Sequence, residues 1–401
     1  MVSIDKIFHR QALPNLVSYL LRDEAISGKL ILAATVLALI VANSPLQQFY
    51  DFIWHLNFNI GLGDWSLAMD LRHWVNEGLM TFFFLVVGLE IKREMVKGEL
   101  RHRSTAILPI AAAIGGMIVP ALLYIAFNHP GSDGFRGWAI PMATDIAFAV
   151  GILALLGDRV SASLKLFLLT LAIVDDIGAI IVIAVFYGSG FNFWMLGIAG
   201  LLALTILVLR KNRALTIPLF TVISILMWLA INQAGIHASI AGAILGLLAP
   251  VYAFHTNKPA FAERVERFAI PLSTLIVVPL FAFANTGVKF SLEGFTGSAP
   301  MVIGGIAAGL IIGKVVGIVG ASLIMVKLGI GKLPDGTNWR QMAGVGFLAG
   351  IGFTVSIFVT ELAFDKNTGL IDVAKLSIFA ASAISGLLGL YLLKTKSRQQ
   401  R

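Results

Sequence analysis

Two aspartates, Asp175 and Asp176, are the only charges in the apolar run LFLLTLAIVDDIGAIIVIAVFYG, residues 166–188. Few other ionisable groups lie within the apolar stretches. Asp145, preceded by Thr144, interrupts GWAIPMATDIAFAVGIL, and Lys314 interrupts GLIIGKVVGIVG. Each Asp or Lys costs roughly 2.5–3.5 kcal/mol at the centre of a membrane helix, so these four together cost about 10 kcal/mol if unpaired. Groups kept at that cost mark ion pathways and proton relays. Helix neighbours i and i+1 project about 100° apart, so Asp175 and Asp176 cannot serve one partner equally. One suits a salt bridge and the other a pathway. A small hard cation such as Na+ or Li+ takes oxygen ligands, here carboxylates, the Thr144 hydroxyl, freed peptide carbonyls and water. Burial disfavours an ionised carboxylate and a nearby ammonium favours it, so such a site holds a proton or a cation but not both. Competition of that kind is the chemistry of exchange. An Asp–Lys pair that merely joins helices accounts for at most one of the two aspartates.

The elements around these residues are membrane spans. Of 401 residues 58% are apolar and 13% charged, against about 25% charged in soluble domains, and the mean hydropathy is +0.88. Apolar runs of 18 or more residues recur, each long enough for a hydrocarbon core of roughly 30 Å. They predict an all-α polytopic protein, residues 1–401 forming one integral membrane domain. Twelve helices are expected near 25–44, 72–95, 105–127, 138–156, 163–187, 193–210, 215–232, 236–254, 270–288, 300–326, 341–362 and 374–393. Of the 30 Lys and Arg, 24 fall in alternate connections and the termini; Arg72, Arg136, Lys289, Lys366 and Lys375 fall on the other side, and Lys314 within a span. By the positive-inside rule both termini face the cytoplasm, and the net charge of +8 reads as topology, not nucleic-acid binding. Early charges up to Glu24 argue against a cleavable signal. Cysteine is absent, which removes disulfides and thiolate metal sites.

Spans 4 and 11 are interrupted: the first by Pro141, Thr144 and Asp145, the second by Gly344, Gly346, Gly350, Gly352 and Thr354 in AGVGFLAGIGFTVSIF. Pro removes a helix donor and Gly is a poor helix former. Each break precedes the middle of a later helix by about 33 residues, so spans 3–5 (105–187) and 10–12 (300–393) read as two copies of one unit. Seven helices separate their starts, which inverts the second copy. Inverted repeats with matching broken helices point to a midplane transport site. Half-helix N-termini at such a break carry partial positive charge and C-termini partial negative charge. Asp145 and Lys314 suit those two needs. Outside the membrane, WHLNFNIGLGDWSL (54–67) alternates with a period of two around Gly63 and Asp64, which predicts a small β-hairpin within about 45–70. Two lone strands need a packing surface, and a partner subunit would supply one.

With PMATDIAFAVGIL, LAIVDDIGAI, GLIIGK, VVPLFAFANTGV and FLVVGLEIKREM in place, the chain closely resembles the NhaA-type Na+/H+ antiporters of bacterial inner membranes, collinearly over about residues 12–394. The resemblance implies proton-driven export of Na+ or Li+, active at alkaline pH, by a twelve-helix homodimer with no cofactor. It implies Asp176 as main ion ligand, Asp175 as its partner and mate of Lys314, and Thr144 and Asp145, in a crossed-helix assembly, as the remaining ion-binding residues. It makes LNFNIGLGDW the dimer hairpin. Glu90, Arg93 and Glu94, at i, i+3 and i+4, together with Glu266 and His237, become candidates for the pH response. Asn76 and Glu77 would line an outer funnel. Where family members carry histidines around Glu266, this chain has Arg267 and Ile270, so their pH profile does not transfer. A cation-coupled symporter could share the architecture but would need a larger polar pocket. A channel lacks a filter sequence here. GLIIGKVV misses the phosphate-binding loop by one residue of spacing and by Val315, which argues against an ATP-driven pump. No spacing for a haem, flavin or metal centre occurs, so no enzyme chemistry is expected.

Overall fold

A computed structural model describes residues 26–62, 65–188, 190–252, 259–289, 297–364 and 367–394. In chain order the elements are α1 (Ile26–Ala42), α2 (Gln47–Trp54), β1 (Asn57–Leu62), β2 (Trp65–Asp70), α3 (Leu71–Lys97), α4 (Arg103–Phe127), a 3-10 segment (Phe135–Met142) and α5 (Ile146–Leu156). Then follow α6 (Ala162–Phe186), α7 (Phe193–Lys211), α8 (Ile217–Gln233), α9 (Ile240–Leu248), α10 (Phe261–Asn285), α11 (Ala299–Lys327), α12 (Trp339–Ala349), α13 (Phe353–Ala363) and α14 (Thr368–Lys394). Among the described residues eight helices are long and apolar enough to cross a membrane, or up to ten if each of the bent pairs α1 with α2 and α12 with α13 is one span. The chain divides into two compact units, residues 1–97 with 183–287 and residues 98–182 with 288–401.

In the first unit α3 and α9 meet backbone to backbone. A Cβ on Gly88 would strike the Ala243 carbonyl, and one on Gly242 the Thr81 carbonyl. Glycine at both positions permits the close approach that membrane helices use in place of a hydrophobic driving force. Around this seam Leu89, Phe220, Ile223, Met227, Leu245 and Phe261 form a buried apolar cluster. The strands pair antiparallel from Asn57 opposite Asp70 to Leu62 opposite Trp65. The expected two-stranded sheet therefore forms, and its predicted turn at 63–64 lies outside the described residues, as does the charged N-terminal stretch. In the second unit the Gly115 and Gly317 positions bring α4 and α11 together in the same way.

Three boundaries differ from expectation. α10 starts at Phe261, not near 270, because the charged run FAERVERF is itself an amphipathic helix with Phe261, Ala262, Glu266 and Ala269 buried. Pro271 does not end it; the helix continues through the π-helical turns Ser273–Val277 to Asn285. The eighth expected span, 236–254, contains only the short α9, because its first residues form turns capped on His237 and Ala238. Lys375, expected in an outer connection, sits within α14 and is 3% exposed. It is a buried helix residue with a carboxylate partner.

Candidate ion-binding site

The site lies in the second unit, where two helix breaks meet. After the 3-10 segment Phe135–Met142, whose Pro141 cannot continue an α-helix, Ala143 and Asp145 are extended. Residues 350–352 separate α12 from α13, which bend 46°. The breaks are stitched by main chain and side chain together. The Asp145 amide donates to the Ile351 carbonyl (2.6 Å), and the Ser356 hydroxyl donates to the Ile140 carbonyl (2.7 Å). The Asp145 carboxylate serves two helix N-termini at once. Its Oδ1 accepts from the Phe148 amide of α5 (3.2 Å), and its Oδ2 accepts from the Thr354 amide (3.0 Å) and hydroxyl (2.5 Å) of α13. A negative charge there complements the partial positive ends of both half-helices. At only 2% exposed, Asp145 has the structural function of a double cap.

One turn of chemistry away, α6 and α11 bring the opposite charges together. Lys314 is fully buried, and its Nζ donates to Asp175 Oδ2 at 2.5 Å and to the Thr144 hydroxyl at 2.9 Å. Lys314 follows directly on the π-helical turns Ala308–Gly313, a local widening frequent at functional sites. The Thr144 hydroxyl lies 2.7 Å from Asp175 Oδ2 and 2.8 Å from the Ala349 carbonyl. A hydroxyl has one hydrogen, and with Lys314 donating to its oxygen it gives that hydrogen to one of the two acceptors. Asp175 Oδ1, also buried, has no hydrogen-bond partner among the described residues. Asp176 is the more exposed of the pair, 7% against 1%. A buried carboxylate oxygen such as Asp175 Oδ1 can take a small hard cation or a proton.

Residues 18–393 match the Na+/H+ antiporter 1 family. The chain belongs to that family. Among its relatives are the Na(+)/H(+) antiporter NhaA of Psychrobacter arcticus, 43% identical over 377 residues and 94% of each chain, and that of Mesorhizobium japonicum, 44% identical over 376 residues and 92% of each. The sodium proton antiporter MjNhaP1 from Methanocaldococcus jannaschii has a similar fold, with a TM-score of 0.51 at 14% identity over 94% of this chain and 99% of that one. With its apolar helices, this antiporter-family chain is a multi-pass membrane protein.

The other residues singled out in this family member lie in the first unit. Arg93 pairs with Glu266 at 3.1 Å, the carboxylate side nearly buried and the guanidinium about one-third exposed. Glu90 feels Arg93, Glu266 and Glu94 electrostatically, so all four candidates form one cluster. His237 lies elsewhere. Its Nδ1 is 2.7 Å from Glu77 Oε1 and its Nε2 3.1 Å from the Tyr187 carbonyl. Both neighbours are hydrogen-bond acceptors for the ring. Glu77 Oε2 also accepts from the Ser239 amide, and the Glu77 carbonyl accepts from Trp228 Nε1. Asn76 exchanges amide hydrogen bonds with Asn285, at 2.7 and 3.3 Å. The π-helical turns Trp74–Leu79 bury Asn76 and Glu77. Both side chains are hydrogen-bonded to partners in this unit.

Several partners were not foreseen. Thr354 stood in a quoted motif only as part of a break; its position in the first turn after the glycines was the available signal. Lys375 and Glu361 of α13 pair at 2.5 Å, with side chains 4% and 13% exposed. The signal was an acid within the apolar FTVSIFVTELA.

Proposed function

We propose that this chain is a secondary active transporter that exchanges cytoplasmic Na+ or Li+ for external H+ through competition at Asp175 and Asp176. The relatives named as Na+/H+ antiporters support the ion pair exchanged. The observation that carries the site is the buried Asp175, bonded to Lys314 through Oδ2 while Oδ1 has no hydrogen-bond partner among the described residues, beside Asp176. Asp176 acts as main ligand, Asp175 as second ligand and Thr144 as a hydroxyl ligand. Asp145 and Lys314 compensate the half-helix ends. When a cation recruits Asp175, the pair with Lys314 has to open. If two protons leave for each ion bound, the cycle moves charge. Equal rates at zero and imposed membrane potential, with the pH gradient clamped, would refute that stoichiometry.

On this reading the chain acts as one integral membrane domain of twelve spans, with spans 3–5 and 10–12 as inverted repeats. It lies in the bacterial inner membrane with both termini in the cytoplasm, as a homodimer joined through the hairpin. Glu90 and Glu266, electrostatically coupled to one another and to Arg93, with Glu94 beside Glu90, set the alkaline activation together with His237. The deciding experiment is exchange in inside-out membrane vesicles. The lumen is acidified, Na+ or Li+ is added at several pH values, and dissipation of the pH gradient is followed for wild type and Asp176→Asn. Dissipation by wild type alone supports exchange at this carboxylate. Equal dissipation by both moves the site elsewhere, and none by either at any pH rejects the reading.

A further inference from the structure

Helix α2 has three differently constituted sides. One is buried: the Tyr50 hydroxyl donates to the Phe283 carbonyl (2.5 Å), with the Ala284 carbonyl at 3.2 Å. The rings of Tyr50, Trp54 and Phe283 meet edge to face with centroids 5.5 to 6.1 Å apart. The acceptor carbonyls belong to the last turn of α10, where helices leave carbonyls unpaired, so α2 is fastened to the end of that helix. The second side is polar, with Gln47, Gln48, Asp51 and His55 adjoining it around the helix. Gln47 bonds Asp51 one turn on (3.4 Å). The third is an exposed apolar stripe: Phe49 and Phe52, each 61% exposed, flanked in sequence by Leu46 at 57% and Leu56 at 40%.

The position of α2 says what covers that stripe. Its predecessor α1 has 17 apolar-rich residues, about 25 Å of helix, close to the roughly 30 Å of a hydrocarbon core. At its end the chain turns by 116°. A right angle would lay α2 flat across the end of a span; the larger turn tips it back toward the hydrocarbon. No Lys or Arg occurs between Lys29 and Arg72, so attraction to anionic headgroups does not hold this segment.

We propose that α2 is an interfacial helix whose Leu46, Phe49, Phe52 and Leu56 stripe rests among lipid acyl chains at the bilayer boundary, with the polar side toward water. The buried side makes it a strut between the lipid surface and the end of α10. Interfacial helices bury an apolar face about 5–10 Å into the headgroup and acyl boundary, commonly aided by basic residues; here the contact is apolar alone.

The chain has no cysteine, so single cysteines can be placed in the full-length wild-type background at Leu46, Phe49, Phe52, Leu56, Gln48 and His55. Each is nitroxide-labelled, reconstituted into phosphatidylcholine vesicles, and tested for collisions with oxygen, which partitions into lipid, and with a nickel chelate, which stays in water. The expected result is a severalfold preference for oxygen at the four stripe positions and the reverse at Gln48 and His55. Replacing part of the lipid with phosphatidylglycerol leaves the pattern unchanged. Chelate access at the stripe overturns the proposal. So does shielding from both reagents with spin–spin broadening, which would place a second copy on the stripe, and so does insertion that appears only with anionic lipid. Four stripe positions keep the pattern readable if one labelled variant fails to fold.

Discussion

The buried pair of Lys314 and Asp175 makes a quantitative prediction. Lys314→Met keeps side-chain length and removes the charge, leaving Asp175, 1% exposed, with the Thr144 hydroxyl as its remaining donor among the described residues. Asp175→Asn leaves the ammonium with Thr144. Removing one partner of a buried pair costs about 3–5 kcal/mol, whereas replacing both with uncharged groups is often nearly neutral. Each single variant is therefore expected to lose about 3 kcal/mol or more and the double variant clearly less than the sum, a coupling on the order of 3 kcal/mol. Lowering the pH should return part of the loss in Lys314→Met, since the protonated carboxyl has no charge to desolvate. Unfolding titrations in mixed micelles at two pH values read all three quantities. Single losses below about 1 kcal/mol, or additivity within about 0.5 kcal/mol, would refute the claim that these charges hold one another in the folded protein.

Other expectations are briefer. Asp145→Asn puts an amide donor against donors that the carboxylate now satisfies, at about 1.5–3 kcal/mol for each charge-assisted bond lost. Lower thermal stability and loss of exchange should coincide, and a stable, active variant would mean that the double cap is dispensable. Gly242→Ala forces a methyl into the Thr81 carbonyl; a loss of about 1–3 kcal/mol follows from overpacking, whereas Gly200→Ala, with open space at its Cβ, should be tolerated in the same unfolding assay. Lys375→Met strands Glu361 and should destabilise by about 3 kcal/mol, with much of the loss recovered in Glu361→Gln/Lys375→Met. Failure of the double variant to recover it would show that packing, not charge, matters there.

The ionisable centre was legible because a charge in an apolar span is costly enough to stand out singly. Asp145, Asp175, Asp176 and Lys314 needed no partner to be noticed, and Thr144 was found by adjacency. Their stitching was not legible. Which carbonyl meets the Asp145 amide depends on how two breaks cross, and nothing in the order of residues ties Thr354 to position 145. The pair of Glu77 and His237 escaped for a similar reason: each is ordinary alone, and 160 positions separate them. Lys375 was misplaced because a lysine near the edge of an apolar run looks like a loop residue until Glu361 is seen beside it. The start of α10 was missed because FAERVERF has the composition of a connection, and its amphipathic period matters only once a neighbouring wall exists to cover one face.

The single hydrogen on the Thr144 oxygen has a consequence for signalling. While Asp175 carries its charge, Oδ2 is the stronger acceptor and takes the hydrogen. Once a proton or an ion has claimed that charge, the Ala349 carbonyl, 2.8 Å away at the end of α12, becomes the better destination. A turn about one C–O bond then reports the occupancy of a carboxylate to the backbone of a different helix, a yes-or-no message sent without displacing a heavy atom. Our hypothesis is that this relay links loading of the site to the next movement of the broken helices. Thr144→Ser keeps the relay and Thr144→Val severs it. The hypothesis fails if both variants still bind Na+ and exchange it at the same rate.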